Sequence, residues 1–318
     1  MQKRKLGWTD LELSVIGLGT WAAGGGNWKF GWGPQDDEDT IKTIHEALDC
    51  GINWIDTAAV YGLGHSETVV GKAVKGIRDK VIIATKCERQ WKADGSEIFG
   101  VLKKKEIKRE CEDSLLRLST DRIDLYQIHW PQPEEDIVEG WEAVNELIKE
   151  GKVRYGGVSN FSAAQMKTIR PAGKIASLQP PYSMFRREIE NDQMDYCREN
   201  NMGMITYSPM EKGLLTGKVT KEWVKALPET DHRKRDTNFN EPQFSKNLVI
   251  IDALEQTAKK AGIALSQLAI SWILRRPEIT AAIVGARKPG QIKETAASGD
   301  VKLTEGIIME IDSILAGY

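Results

Sequence analysis

A closed (β/α)8 TIM barrel preceded by a β-hairpin is the α/β fold that this sequence predicts. Three observations predict it. Eight short apolar runs alternate with amphipathic helical stretches along the 318 residues. No Pro/Gly-rich linker or low-complexity tract divides them. The runs are apolar throughout, as strands covered by helices on both faces must be. Alternation of strand and helix implies parallel pairing, and eight units favour closure over the runner-up, a doubly wound open sheet. Barrels of ~250 residues fold as one domain, so a single domain spanning 1–318 is expected.

The elements follow in chain order. Residues 3–6 and 11–14 flank a Gly-Trp-Thr-Asp turn and read as a hairpin. In a barrel it would plug the end where no chemistry occurs. The strand candidates are residues 15–19, 53–56, 80–85, 124–128, 155–158, 176–179, 203–207 and 281–284. The run from Asp36 to Asp39 opens a helix with Ile41, Ile44 and Leu48 on one face, and Gly51 stops it. Ile107, Cys111, Leu115 and Leu118 mark a second stripe; Trp141, Val144 and Ile148 mark a third, ended by Gly151. Ser162 can cap a fourth helix. Leu254, Ala258 and Ala261 mark another, and Leu268, Trp272 and Arg275 the next. Residues 217–245 read as a long polar loop containing His232-Arg233-Lys234-Arg235-Asp236. A charged run of this kind is ordinarily solvated; a loop over a ligand is the alternative.

Composition narrows the function. With 41% hydrophobic and 28% charged residues the chain is ordinary for a globular protein. A net charge of −2 argues against a nucleic-acid partner or an anionic-membrane surface. No window holds ~18 uninterrupted apolar residues, the length a membrane span needs. The N-terminus lacks the apolar region of a signal peptide. Cys50, Cys87, Cys111 and Cys197 are scattered and read as reduced thiols, so a cytoplasmic location is expected. No metal is expected: His45-Glu46-Ala47-Leu48-Asp49 opens like HExxH but lacks the second histidine.

Two motifs mislead. Gly17-Leu18-Gly19-Thr20-Trp21-Ala22 fits the dinucleotide-binding pattern G-x-G-x-x-[GA], but Gly24-Gly25-Gly26 follows where a helix should begin. Residues 213–218, GLLTGK, are one short of a P-loop, and Val219 stands where Ser/Thr must hold magnesium. The segment can still bind phosphate through backbone N–H groups.

Active sites of such barrels are built at the C-terminal ends of the strands. Polar groups end six consecutive strands there: Asp56; Lys86; His129; Ser159 and Asn160; Gln179; Tyr207 and Ser208. Tyr61 shares a loop with Asp56. Each alone reads as a satisfied core or solvated residue; the coincidence of all of them does not.

The stretches Asn53-Trp54-Ile55-Asp56-Thr57-Ala58-Ala59-Val60-Tyr61-Gly62, Ala84-Thr85-Lys86, Asp124-Leu125-Tyr126-Gln127-Ile128-His129-Trp130-Pro131 and Gly157-Val158-Ser159-Asn160-Phe161 resemble the aldo-keto reductase superfamily. The resemblance runs from the hairpin to Glu294. Long loops after the first and seventh strands look like the branch of bacterial general-stress reductases and aryl-alcohol dehydrogenases. It implies a catalytic tetrad of Asp56, Tyr61, Lys86 and His129. Tyr61 would donate the proton, its pKa lowered by the Lys86 ammonium. Asp56 would keep Lys86 charged, and His129 would hydrogen-bond the carbonyl oxygen.

The hydride needs a nicotinamide, since no side chain supplies one. The resemblance places the carboxamide against Ser159, Asn160 and Gln179, with Tyr207 stacked on the ring and Thr20 and Trp21 bordering it. Ser208, Met210, Gly213, Leu215 and Lys218 would follow the ribose and pyrophosphate. Gly285, Arg287, Lys288, Gln291 and Glu294 would hold the adenosine end. Some relatives carry Arg where Gln291 stands and Asn where Thr295 stands, which weakens a 2′-phosphate clamp. Arg287 and Lys288 can supply that charge instead, so NADPH/NADP+ is favoured, with NADH use left open.

Trp28, Trp32, Trp91 and Trp130, with Trp21 and Phe30, lie on loops at the expected mouth. An aromatic cleft suits small aryl or alkyl carbonyls, and no arginine cluster awaits a phosphorylated sugar. The alternatives are alcohol or sugar oxidation in the reverse direction, a cofactor-sensing regulatory subunit, and a Lys86 Schiff-base lyase. The complete tetrad speaks against the second, and Asp56 with the cofactor-like C-terminal segment against the third. The sequence leaves the oligomeric state undetermined.

Overall fold

The computed structural model describes residues 1–26 and 28–316. Its strands are β1 (Lys3–Lys5), β2 (Glu12–Ser14), β3 (Ile16–Gly19), β4 (Trp54–Asp56), β5 (Ile82–Cys87), β6 (Arg89–Trp91), β7 (Ile98–Gly100), β8 (Ile123–Ile128), β9 (Val153–Ser159), β10 (Ser177–Gln179), β11 (Gly203–Tyr207) and β12 (Ala281–Gly285). Eight of them close a parallel barrel in the order β10-β11-β12-β3-β4-β5-β8-β9. Each of the eight apolar runs in the sequence supplies one of these strands.

The helices are α1 (Asp37–Asp49), α2 (His65–Ala73), α3 (Lys104–Leu118), α4 (Ile137–Lys149), α5 (Ala163–Ile169), α6 (Gln193–Glu199), α7 (Lys221–Lys225), α8 (Gln243–Lys260), α9 (Leu265–Leu274), α10 (Gln291–Ala296) and α11 (Glu305–Leu315). The Asp36 carboxylate accepts from the Asp39 N–H at 2.9 Å and so starts α1. Ser162 and Gln165 form a capping box at α5. None of the described helices is long and apolar enough to cross a membrane.

Side chains of a strand alternate between faces, and the packing divides accordingly. Ile55, Ile83, Tyr126, Ile128, Val158, Leu178 and Met204 join the layer between strands and helices. Trp54, Ala84, Leu125, Ala176, Ile205 and Ala281 form a second cluster inside the barrel, together with Leu6, Leu11 and Leu13 of the hairpin. The hairpin therefore plugs the barrel. Its Arg4 donates to the carbonyl of Leu274 at 2.9 Å. Gly17 is required by this filling: a Cβ there would stand 2.1 Å from the Trp54 ring.

Residues 217–245 depart from the sequence reading. They hold α7, the start of α8 and two 3-10 turns, His232–Arg235 and Thr237–Phe239. Thr220, Asp231 and Asp236 each cap one of these short elements through a side-chain oxygen. Capping converts a polar stretch into ordered structure.

Candidate active site

The same alternation that sends Trp54, Ala84 and Leu125 into the barrel sends the residues two further along to its C-terminal end. Asp56, Lys86 and Gln127 follow in this way, with Ser159, Gln179 and Tyr207 closing their own strands. Lys86 and Ser159 lie inside β5 and β9 rather than after them. Strand backbone thus fixes most of the site.

Lys86 is 1% exposed and lies behind the wall of the cleft. Its Nζ donates to Asp56 Oδ1 at 2.6 Å, to the Thr57 carbonyl at 2.9 Å and to the Tyr61 hydroxyl at 3.3 Å. Gln179 Nε2 donates to the other Asp56 oxygen at 2.8 Å. The buried ammonium has three partners and its carboxylate two, which is what a charge pair out of water requires. The Tyr61 and His129 rings meet edge to face at 5.9 Å.

The electrostatics overturn one expectation. Burial, followed by the Asp56 charge, pushes the Tyr61 phenol well above its ordinary value of 10. The sequence reading had Lys86 lowering it. Burial disfavours phenolate more than one ammonium at 3.3 Å favours it. Burial also lowers Lys86, though Asp56 opposes this. His129 is held well below 6.5 by burial and by the Lys86 and Arg89 charges. At neutral pH the site therefore presents a protonated phenol and a neutral imidazole.

A buried acidic pair, Glu88 and Glu110, lies at the end of β5. Glu88 follows β5 with φ 89°. Its Oε2 accepts from the Trp130 N–H at 3.1 Å, and its own N–H donates to Glu110 at 3.0 Å. Burial raises Glu88 to about 9 and Glu110 to about 7. Each keeps a proton that the unfolded chain loses near 4.5. The stability they contribute is full below that pH and is lost as pH rises through about 7 and then 9. Glu88→Gln is therefore expected to melt less steeply than the parent between pH 6 and 9. Parallel slopes in thermal denaturation would contradict this.

One large cleft opens at this end of the barrel, with a volume near 1140 Å³. Asp56, Tyr61, His129, Trp21, Ser159, Asn160, Gln179, Tyr207, Ser208, Met210, Gly213, Lys218, Gly285, Arg287, Gln291 and Glu294 line it, as do Trp28, Trp32 and Trp130. Besides Lys86, four expected residues do not. The Thr20 hydroxyl is turned to the Asp56 carbonyl at 3.0 Å. Leu215 is fully buried in the outer core. Lys288 lies off the wall, and Trp91 packs in the cluster that holds Val60, Tyr61 and Ile98.

The roof is the alternative reading of the charged run, a loop over a ligand, and not the favoured solvated one. Lys212, His232, Arg233, Arg235 and Asp236 all line the cleft. His232 stacks on Trp21 at 4.9 Å, and Arg233 lies 4.5 Å over Trp32. The HRKRD run is thus a covering segment over the cleft and not a solvated loop. The signal was a charged run and a tryptophan-rich one about two hundred positions apart, with nothing in sequence to join them. Folding also gathers Arg186, Arg233, Arg235 and Arg287 on the wall, although no arginine cluster stands in the sequence.

The cleft suits a nicotinamide dinucleotide. Its volume near 1140 Å³ exceeds what a small substrate alone needs. Lys212, Lys218 and the arginines supply positive charge. Ser208, Glu211, Lys212 and Gly213 all have left-handed backbone, with φ between 46° and 96°. In this turn the Glu211 and Gly213 N–H groups are taken by the Ser208 and Met210 carbonyls at 2.9 and 3.1 Å, so the Lys212 and Lys218 charges beside it carry the case for a phosphate. Tyr207 offers an aromatic face, its hydroxyl donating to Asn160 at 2.8 Å.

Comparison with known proteins decides the family. The profile of the Aldo/keto reductase family matches residues 15–316. The chain belongs to the aldo/keto reductase family. Among its relatives is the aldo-keto reductase YhdN of Bacillus subtilis (strain 168), 44% identical over 90% of this chain and 85% of that one. The NADH-specific methylglyoxal reductase of Escherichia coli (strain K12) is 36% identical over 96% and 95%. The glycerol dehydrogenase AKR11B4 of Gluconobacter oxydans has a similar structure, with TM-score 0.90, 39% identity and coverage of 99% and 95%. This aldo-keto reductase is therefore an oxidoreductase of carbonyls and alcohols that works with a nicotinamide cofactor.

Proposed function

We propose that the protein reduces small aldehydes and ketones with NADPH, Tyr61 giving the proton. The observation that carries this is Lys86 Nζ bridging Asp56 and the Tyr61 hydroxyl, at 2.6 and 3.3 Å, beside a cleft of dinucleotide size.

A bound dihydronicotinamide supplies the hydride. The chain's own residues handle the charge that then grows on the carbonyl oxygen. Tyr61 holds its proton across the working range, because burial keeps the phenol well above 10. It releases that proton only as the oxygen becomes basic, and Lys86 steadies the phenolate left behind. Asp56 and Gln179 keep the ammonium charged and oriented. His129, neutral above its depressed pKa, offers an N–H to the same oxygen and does not compete as the acid. Trp21, Trp28 and Trp130 give the substrate an apolar approach that excludes water.

Ser159, Asn160, Gln179 and Tyr207 would hold the nicotinamide, and the turn from Ser208 to Gly213, with Lys212 and Lys218, the pyrophosphate. At the adenosine end Arg287 is engaged by Gln35 at 3.1 Å and by the Pro34 carbonyl. Gln291 braces the backbone N–H groups of Arg287 and Lys288 at 2.8 and 3.1 Å. Arg287, with Lys288 beside it, favours the 2′-phosphate of NADPH. The E. coli relative named NADH-specific keeps NADH in play. The reverse reaction, oxidation of a polyol, is favoured by the likeness to a glycerol dehydrogenase. A panel of aldehydes and polyols, each assayed with NADP(H) and NAD(H), tests the reading. The expected result is aldehyde reduction with higher kcat/KM for NADPH. Turnover with NADH alone would overturn the cofactor assignment, and no turnover of any carbonyl would overturn the activity.

A further inference from the structure

We propose that His232 and Trp32 form a hydroxyl-binding subsite in the roof of the cleft. Both residues line it, His232 from the covering segment and Trp32 from the loop after β3. Their rings meet at 4.8 Å and 69°. His232 is 7% exposed, and its Nδ1 lies 3.5 Å from the Gly31 carbonyl. A carbonyl only accepts, so Nδ1 carries the proton and Nε2 a lone pair. Burial holds the ring's pKa down at about 4, which keeps that tautomer neutral. His232 Nε2 is buried and has no partner, and the same is true of Trp32 Nε1. Unpartnered buried polar atoms are rare enough to need an explanation.

One is an acceptor and the other a donor, on adjoining rings. A hydroxyl serves both, donating to His232 and accepting from Trp32. A phosphate dianion or carboxylate has no proton for His232, and an apolar group satisfies neither. The pair is rigidly held. The Arg233 guanidinium is sandwiched between Trp32 at 4.5 Å and Trp223 at 4.7 Å, and Asp231 pins it at 2.6 Å. Trp21 stacks on His232 at 4.9 Å and on Tyr61 at 6.1 Å, so one ring separates the subsite from the catalytic phenol. Two hydroxyls are the candidates: a distal hydroxyl of a short polyhydroxy aldehyde, or a ribose hydroxyl of the cofactor. Reading the ligand as substrate or cofactor rests on the proposed reductase activity.

The test uses His232→Phe, which keeps the ring and removes the acceptor, and Trp32→Phe, which removes the donor. Three quantities are measured: kcat/KM for glyceraldehyde, kcat/KM for propionaldehyde, and NADPH affinity by fluorescence titration without substrate. A substrate hydroxyl predicts a fall of about tenfold in the glyceraldehyde-to-propionaldehyde ratio in both variants. A ribose hydroxyl predicts NADPH binding weaker by about tenfold, with the ratio constant. Either outcome supports the subsite. Constant ratio and constant affinity, with a raised melting temperature in His232→Phe, would show two orphaned rings packed for shape alone and overturn it. The titration stands without turnover, so failure of the parent enzyme on both aldehydes would count against the activity and leave the subsite separately decided.

Discussion

Tyr61→Phe is expected to lower kcat for aldehyde reduction by ~10²–10⁴-fold, the range that a positioned general acid contributes. The substitution removes one oxygen and leaves the ring against His129 and Trp21, so the cleft keeps its shape. NADPH affinity, read by fluorescence titration, should stay close to the parent's. That split separates a chemical role from a structural one. The pH profile adds a second reading. A phenol held well above 10 stays protonated through neutral and mildly alkaline pH. Reduction by the parent should therefore show no alkaline limb from Tyr61 at neutral or mildly alkaline pH, whereas alcohol oxidation, which needs the proton removed, should rise with pH. A variant with parental kcat, or an alkaline limb near pH 7, would remove Tyr61 from the role.

The largest stability effect is expected from Lys86→Met. Asp56 is 3% exposed and Lys86 1%. Removing the ammonium strands a buried carboxylate, and breaking a buried pair in this way costs about 3–5 kcal/mol. Activity should fall at least ~10²-fold as well, since phenolate then forms without a neighbouring cation. Lys86→Met combined with Asp56→Asn distinguishes the two losses. The double variant should recover much of the melting temperature, because no unpaired charge remains, and none of the rate. Recovery of both would mean that the pair matters for folding alone.

The strands were legible because they are buried on both faces and therefore apolar throughout. Their ends were not, because Lys86 and Ser159 continue the strands as polar residues whose partners come from other strands. That Asp56, Tyr61, Lys86 and His129 gather at one end of the barrel was legible from their places after apolar runs, while the family resemblance, not their spacing, singled them out as a tetrad. The direction of the Tyr61 shift was not, since burial is a property of the folded site and outweighs the one charge that sequence reasoning counted. The roof was hidden for a similar reason. His232 and Arg233 look solvated until Trp21 and Trp32, about two hundred positions earlier in the chain, come to lie against them. Nothing local in the sequence marks Glu88 and Glu110 as buried; the fold encloses them after β5 and within α3.

A crystal structure of the enzyme with NADP+ and a carboxylate inhibitor standing in for the carbonyl bears most directly on the central claim. One inhibitor oxygen is expected within hydrogen-bond reach, ~2.6–3.2 Å, of the Tyr61 hydroxyl, with Lys86 still bonded to the phenol. An inhibitor oxygen bound elsewhere, with Tyr61 turned away from both Lys86 and the ligand, would contradict it.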